Sequence, residues 1–92
     1  MKMVGYARVS TLGQSLEAQV EQLSEYGCAR IFREKISGAK TDRPQLAKLL
    51  ASLSTGETLV VTRLDRLARS TLDLLNIVTA TKASEAHFLS LA

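Results

Sequence analysis

Thr58-Leu59-Val60-Val61-Thr62 is the clearest β-strand in the sequence, and it decides the fold. β-branched residues fill the segment, and Ser54-Thr55-Gly56 breaks the chain just before it. A short, continuous apolar run of this kind is typical of a strand that is covered on both faces, as the strands of a parallel sheet are. The sequence on either side of it is then expected to alternate between strands and helices.

On its N-terminal side the sequence predicts two further strands, over residues 3–9 and 29–35. The helix between them has an apolar stripe and stops at Gly27. A second helix follows residues 37–41, which predict a loop, and Asp42 and Gln45 are spaced as a capping box at its start. Pro44 suits its first turn. The apolar positions are Leu16, Val20 and Leu23 in the first helix, and Leu46, Leu49, Leu50 and Leu53 in the second.

On its C-terminal side the sequence predicts one long helix, from residue 64 to about residue 84, and a fourth strand over residues 87–91. The apolar face of this helix is formed by Leu64, Leu67, Ala68, Leu72, Leu75 and Val78. The alternation predicts an α/β fold with an open, mainly parallel four-stranded sheet flanked by helices. Three helices over four strands leave one flank thinly covered, so we expect a sheet that is incomplete at its C-terminus.

The composition narrows the class of protein. A length of 92 residues suits one small domain or part of a larger one, and 46% apolar with 23% charged residues is a globular balance. The net charge of +3 slightly favours an anionic partner. No apolar stretch has the length of a membrane span and the N-terminus lacks a signal-peptide pattern, so we expect a cytoplasmic protein with no membrane partner.

The sequence lacks the residues that several common kinds of catalytic site require. Cys28 is the sole cysteine, which excludes an internal disulfide and fits a small buried hydrophobe in a reducing compartment. His87 is the sole histidine and has no second ligand at metal spacing, so neither a metal nor another cofactor is expected. The sequence also lacks the serine-hydrolase elbow Gly-x-Ser-x-Gly and the phosphate loop Gly-x-x-x-x-Gly-Lys-[Ser/Thr].

Polar and basic side chains follow three of the predicted strands. Since ligand sites of open α/β sheets lie outside the carboxyl ends of the strands, all three groups are expected at one edge of the sheet. They are Arg8 and Ser10 after the first strand, Ser37, Lys40, Thr41 and Arg43 after the second, and Arg63, Asp65, Arg66 and Arg69 after the third. A hydroxyl nucleophile surrounded by guanidinium groups suits attack on a phosphodiester, because arginine binds phosphate oxygens in bidentate fashion.

Each of these residues also has a structural interpretation. Arg66 and Arg69 are three residues apart, so one helix would place them on a common face where they bind an anion or an acid. Asp65 could be that acid, or it could cap the helix. Ser10 could end a strand or cap the first helix, and Arg43 could pair with a neighbouring carboxylate. The glutamines at positions 14 and 19 could be surface amides.

Three motifs together resemble the catalytic domain of the serine recombinases, the resolvase/invertase family. The motifs are Tyr6-Ala7-Arg8-Val9-Ser10-Thr11, Ser37-Gly38-Ala39-Lys40-Thr41-Asp42-Arg43-Pro44 and Leu64-Asp65-Arg66-Leu67-Ala68-Arg69-Ser70. They occur in the order and at the spacing of the family, and the resemblance covers essentially all 92 residues.

The resemblance implies site-specific DNA recombination without ATP or metal. Ser10 would attack a DNA phosphate and form a 5′-phosphoserine linkage, and the strands would exchange in a tetramer before being rejoined. Residues that match the family's catalytic arginines are Arg8, Arg66 and Arg69; those that match supporting or phosphate-binding positions are Arg43, Asp65, Gln14 and Gln19. Relatives of this kind resolve, invert, integrate or transpose DNA, as enzymes of mobile elements do.

The resemblance also implies that residues 1–92 form a partial catalytic domain, because family members continue with a long dimerisation helix and a DNA-binding domain. Without them we expect sequence-specific DNA binding to be lost and assembly into dimers and tetramers to be weakened or lost. An alternative is a non-catalytic module that pairs with a full-length recombinase. A phosphate- or nucleotide-binding α/β domain unrelated to recombination is a third interpretation.

Overall fold

The structure is a computed structural model that describes residues 2–9, 16–35, 43–68 and 70–91, with the backbone alone for Asp65 and Arg66. The strands are β1 (Met3–Val9), β2 (Arg30–Lys35), β3 (Thr58–Val61) and β4 (His87–Ser90). The helices are α1 (Leu16–Tyr26), α2 (Pro44–Ser52), α3 (Leu64–Leu67) and α4 (Thr71–Ala83). No helix in these ranges is both long and apolar enough to cross a membrane.

The four strands form one parallel sheet in the order β2-β1-β3-β4. The predicted fold class, an open parallel four-stranded sheet with helices, is therefore confirmed. The chain leaves β1 toward one side to form β2 and then crosses to the other side to form β3. The carboxyl ends of β1 and β3 thus lie at the point where the strand order reverses, the usual place for a ligand site in such sheets.

Side chains alternate between the two faces of the sheet, as the period of a strand requires. Val4 and Tyr6 of β1 belong to the larger buried cluster, with residues of α2, α3 and α4. Ala7 belongs to a smaller cluster with Leu23 of α1 and Val60 of β3. One face is thus packed by three helices and the other by α1, in line with the expected thin flank.

Glycine allows α1 to approach the sheet closely. A Cβ atom at Gly5 would lie 3.1 Å from a methyl carbon of Leu23 and 3.3 Å from the sulfur of Cys28. Partial burial in this contact raises the pKa of the Cys28 thiol, in accordance with a packing role for the cysteine. Gly27 follows the end of α1 with a φ of 111°, a backbone conformation that residues other than glycine rarely adopt. The predicted helix stop is therefore confirmed.

The prediction of a single helix from residue 64 to residue 84 is wrong. The helix α3 ends at Leu67, and Ala68 has an extended backbone with φ −126° and ψ 145°. Ser70 then caps α4 by accepting a hydrogen bond from the backbone N–H of Asp73 (3.1 Å). The helix that contains Arg66 therefore ends at Leu67, and Arg69, which the prediction placed on the same helical face, lies outside the described residues.

The predicted apolar face is also wrong for α4. Leu72 and Leu75 are 70% and 61% exposed, and Leu64 of α3 is 42% exposed. Leu67 is fully buried, as predicted. The buried side of α4 is formed by Ile77 and Thr81, with Leu74 partly buried against the larger cluster. Because α4 begins separately after the end of α3, its buried side has a different phase from that of α3. A continuous 3.6-residue period through both helices cannot predict this change.

The observed phase of α4 leads to a prediction about stability at one buried and one exposed position of this helix. We expect Ile77→Ala to lower the free energy of unfolding by about 2–4 kcal/mol, because it leaves a cavity in the core. Leu75→Ala, the matched control on the exposed side, should change it by less than about 0.5 kcal/mol. Urea unfolding followed by circular dichroism measures both. A larger loss for Leu75→Ala than for Ile77→Ala would contradict the observed phase.

The start of α2 differs from the predicted capping box. Arg43, not Asp42, occupies the N-cap position, and its side chain makes no capping hydrogen bond. Pro44 follows in the first turn, as predicted. The backbone N–H of Gln45 donates instead to Oε1 of Glu34 on β2 (3.0 Å). A carboxylate from the neighbouring strand therefore caps α2, which sequence spacing within the helix could not reveal. Asp42 itself lies outside the described residues.

Candidate functional site

The candidate site lies at the carboxyl end of β1. The pairing of β3 with β1 ends at Tyr6, so β1 extends beyond its neighbour through Arg8 and Val9. Arg8 is buried at this end of the strand. The exposed Arg63 follows β3 at the same edge of the sheet. This is the edge at which the sequence predicted a phosphate site.

Gln19 of α1 holds the backbone of Arg8. Its Nε2 donates a hydrogen bond to the carbonyl oxygen of Arg8 (2.9 Å), and its Oε1 accepts one from the N–H of Arg8 (3.3 Å). The amide therefore satisfies both backbone polar groups of one residue where β1 outruns β3, as another strand would. The interpretation of Gln19 as a surface amide is wrong, because its side chain is buried and fixes the end of the strand.

Tyr6 and Glu34 form a buried pair beside this end of β1. The Tyr6 hydroxyl donates a hydrogen bond to Oε2 of Glu34 (2.5 Å), and the other carboxylate oxygen caps α2. Burial raises the pKa of Tyr6 well above its ordinary value of 10.0, and the hydrogen bond and charge of Glu34 raise it further. The positive charges of Arg43 and Arg8 act in the opposite direction and lower the same pKa.

The raised pKa of Tyr6 makes stability depend on alkaline pH. The unfolded chain ionises Tyr6 near pH 10 while the folded chain keeps it neutral, so the stabilisation is complete below about pH 10 and is lost as the pH rises further. Tyr6→Phe should lower the free energy of unfolding by about 1–3 kcal/mol at neutral pH, because one oxygen of the buried Glu34 loses its donor. Above about pH 10 the difference in the free energy of unfolding between the variant and the wild type should become smaller.

Urea unfolding at about pH 8 and about pH 11 tests this pH dependence. Tyr26→Phe, at an exposed position, is the matched control and should keep the alkaline loss of stability that the wild type shows. If the free energies of unfolding of Tyr6→Phe and wild type differed by the same amount at both pH values, the raised pKa of Tyr6 would be contradicted.

Arg43 connects three parts of the edge. It precedes α2, its Nη1 donates a hydrogen bond to the carbonyl oxygen of Leu67 at the end of α3, and its Nη2 donates to Oδ2 of Asp73 in α4 (2.5 Å). The guanidinium is buried, and among the described residues its Nε has no hydrogen-bond partner. The interpretation of Arg43 as the partner of a carboxylate is thus confirmed, with Asp73 as the carboxylate.

Among the predicted site residues, the structure joins Arg8 to Gln19 of α1 by hydrogen bonds. Arg8 and Arg43 come from two of the three segments that sequence reasoning assigned to one edge, and Glu34 lies opposite Arg8 and caps the helix that Arg43 precedes. The N-cap of α3 is Arg63, so of the two interpretations of Asp65 the one as a helix cap is wrong. Six predicted residues lie outside the described ranges, namely Ser10, Gln14, Ser37, Lys40, Thr41 and Arg69, and the side chains of Asp65 and Arg66 also do.

Two carboxylates of this edge were missed by sequence reasoning. Glu34 alternates with exposed charged residues on β2, and nothing in its local sequence separates it from them. Asp73 stands three residues after Ser70, which is the spacing of a capping box and could have located both the break and the start of α4. Within the described ranges, no cluster of three or more His, Cys, Asp or Glu residues could hold a metal ion.

Comparison with known families identifies the family of the chain. Residues 3–92 match the family described as "Resolvase, N terminal domain". The chain belongs to this family. It is 50% identical over 91 residues to a resolvase of Clostridium perfringens, covering 97% of this chain and 48% of that protein. It is 51% identical over 90 residues to a probable DNA-invertase, y4cG, of Sinorhizobium fredii, covering 98% of this chain and 30% of that protein.

Solved structures of resolvase relatives have the same fold. The C-terminal catalytic domain of ISC1926 TnpA, an IS607-like serine recombinase, superposes with a TM-score of 0.84 at 25% identity, covering all of this chain and 68% of that one. A serine recombinase from Sulfolobus solfataricus gives a TM-score of 0.80 at 29% identity, covering 99% of this chain and 68% of the other. This resolvase-family chain spans half or less of the two curated relatives described above.

Proposed function

We propose that this chain is the catalytic part of a serine recombinase that cuts and rejoins DNA through Ser10. Support comes from the family, which includes relatives named resolvase and DNA-invertase. The observation that carries the proposal is the position of Arg8 and Arg43 about Glu34, at the end of the strand that leads to Ser10. Arg8 lies opposite Glu34 in the sheet, and Glu34 caps the helix that Arg43 precedes.

In the proposed reaction the Ser10 hydroxyl attacks a DNA phosphorus atom. A bond forms between Oγ and phosphorus, the bond from phosphorus to the 3′ oxygen breaks, and the proton that serine loses is matched by one gained at the 3′ oxygen. The product is a 5′-phosphoserine linkage and a free 3′-hydroxyl. Attack of a 3′-hydroxyl on this linkage rejoins the strand, and the phosphodiester energy is conserved in the covalent bond.

The arginines supply the electrostatic part of the catalysis in this proposal. Arg8, Arg66 and Arg69 bind the phosphate and stabilise the negative charge that grows on its oxygens in the transition state. Arg8 suits this role because Gln19 fixes its backbone at the end of β1. Arg43, Asp65, Gln14 and Gln19 support the site. A guanidinium group assists the proton movement, because neither a histidine nor a lysine occurs at the matched positions.

Delivery of DNA to the site belongs to a longer protein in this proposal. We infer that residues 1–92 are a partial catalytic domain, and that a DNA-binding domain and a long dimerisation helix complete the recombinase. The dimer and the tetramer would then be weakened or lost in this chain. A net charge of +3 is too small for tight binding through phosphate contacts alone.

The test is to fuse the 92 residues to a DNA-binding domain of known specificity and to incubate the fusion with a plasmid that contains paired sites. A denaturing gel is expected to show a covalent protein–DNA adduct with the protein on the 5′ phosphate. Absence of the adduct from a well-folded fusion would contradict a working active site in this chain. Inhibition and co-purification of a full-length recombinase by the chain would then favour the alternative of an interaction module.

A further inference from the structure

One guanidinium group links two residues that bracket Arg69 in the chain. Arg43 donates a hydrogen bond to the carbonyl oxygen of Leu67, the last residue of α3, and another to the carboxylate of Asp73 in the first turn of α4. Residues 68–70 connect these two points. The single side chain of Arg43 therefore spans the junction between α3, which contains Arg66, and α4.

The link is buried, which makes the charge of Arg43 depend on its two partners. The Arg43 side chain is 5% exposed, and that of Asp73 is 21% exposed. Solvent and salt therefore screen their interaction weakly. Because Nε of Arg43 is buried and has no partner among the described residues, the guanidinium relies on its two Nη bonds. Loss of the Asp73 charge would leave the buried guanidinium without its counter-ion, which favours movement of Arg43 away from Leu67.

The backbone of Asp73 is fixed separately from its side chain. Its N–H donates to Oγ of Ser70 (3.1 Å), which caps α4. This bond remains if the side chain changes from carboxylate to amide. The substitution Asp73→Asn therefore preserves the helix cap and the size of the side chain, and it removes the charge that holds Arg43.

We propose that Asp73 is a positioning residue of the recombination site. Its carboxylate holds Arg43, and Arg43 holds the end of α3 through the Leu67 carbonyl, so that the helical turn to which Arg66 belongs keeps a fixed position relative to α4. The role of Arg43 is then to shape this junction rather than to contact the phosphate itself. This assignment rests on the proposed function, because the position of the junction affects the reaction only if the arginines bind the DNA phosphate.

The test in DNA cleavage compares carboxylate variants of the fusion described above. Asp73→Asn is expected to lower the rate of adduct formation roughly tenfold to 10²-fold, as displacement of catalytic groups by about 1 Å does. Asp73→Glu restores the charge and should recover part of the rate. Glu17→Gln, an exposed carboxylate in the first turn of α1, is the matched control and should retain the wild-type rate.

A second measurement needs no DNA and uses the 92-residue chain. The backbone N–H of Ala68 donates to the carbonyl oxygen of Leu64 (3.0 Å) and closes the last turn of α3. If Arg43 holds this turn, Asp73→Asn should speed hydrogen exchange at the Ala68 amide, while amides of β1 keep their protection. Asp73→Glu should restore slow exchange.

The outcomes separate this assignment from the proposed function. If wild type forms the adduct and Asp73→Asn forms it equally fast, the positioning role is overturned and the recombinase activity stands. If wild type forms no adduct, hydrogen exchange decides: unchanged exchange at Ala68 overturns the link, and faster exchange supports it. If Asp73→Asn does not fold, the double variant Arg43→Met with Asp73→Leu replaces the ion pair by apolar groups. A folded double variant with the wild-type adduct rate would overturn the proposal. Loss of the adduct together with fast exchange at Ala68 would support it, and loss of the adduct with slow exchange at Ala68 would overturn it, because Arg43 would then act on the phosphate directly.

Discussion

Ser10→Ala is expected to abolish the covalent protein–DNA adduct of the fusion while leaving its fold intact. The substitution removes the atom that bonds to phosphorus, and the remaining arginines bind the phosphate without a nucleophile to attack it. The fold should persist because the buried apolar residues of β1, which are Val4, Tyr6, Ala7 and Val9, are unchanged. Adduct on a denaturing gel and thermal unfolding by circular dichroism measure the two effects.

Ser24→Ala is the matched control for this loss. Ser24 is an exposed serine of α1, where alanine is a good helix former, so its replacement should leave both adduct and stability unchanged. Loss of adduct in both variants would indicate a general defect of the fusion. Residual adduct in Ser10→Ala alone would show that another residue is the nucleophile.

The fold was predictable from the sequence to the extent that local patterns determine it. The buried strand around Val60 has a continuous apolar run, and Gly27 ends α1 with a backbone conformation that suits glycine. The break between α3 and α4 was not predicted because no glycine or proline interrupts residues 64–84. There the end of α3 is bound through the Leu67 carbonyl by a distant arginine, a tertiary contact that overrides the helical preference of the local sequence.

The candidate site was predictable at the level of the sheet edge and not at the level of contacts. The rule for the carboxyl ends of strands located Arg8 and Arg43, because it depends on topology alone. The pair between Tyr6 and Glu34 depends on the register of β1 against β2, in which Arg8 lies opposite Glu34 and Tyr6 is diagonal to it. Sequence periodicity assigns faces and does not assign register, so this pair and the link to Asp73 became visible only in the structure.

Arg66→Ala and Arg69→Ala are each expected to lower the rate of adduct formation by roughly 10²-fold or more, about 3 kcal/mol of transition-state stabilisation, as loss of one preorganised donor does. Each variant removes one guanidinium group, and single-turnover kinetics measure each loss separately.

Arg30→Ala is the matched control for both arginines. Arg30 is an exposed arginine at the start of β2, at the sheet edge opposite to the site, where it pairs with Glu57 at 3.5 Å. Its removal lowers the net charge by the same amount, so any general weakening of DNA binding by charge should appear in the control as well. A loss of rate confined to Arg66→Ala and Arg69→Ala would place their effect at the phosphate. Equal, small losses in all three variants would mean that these arginines act only through the overall charge of the surface.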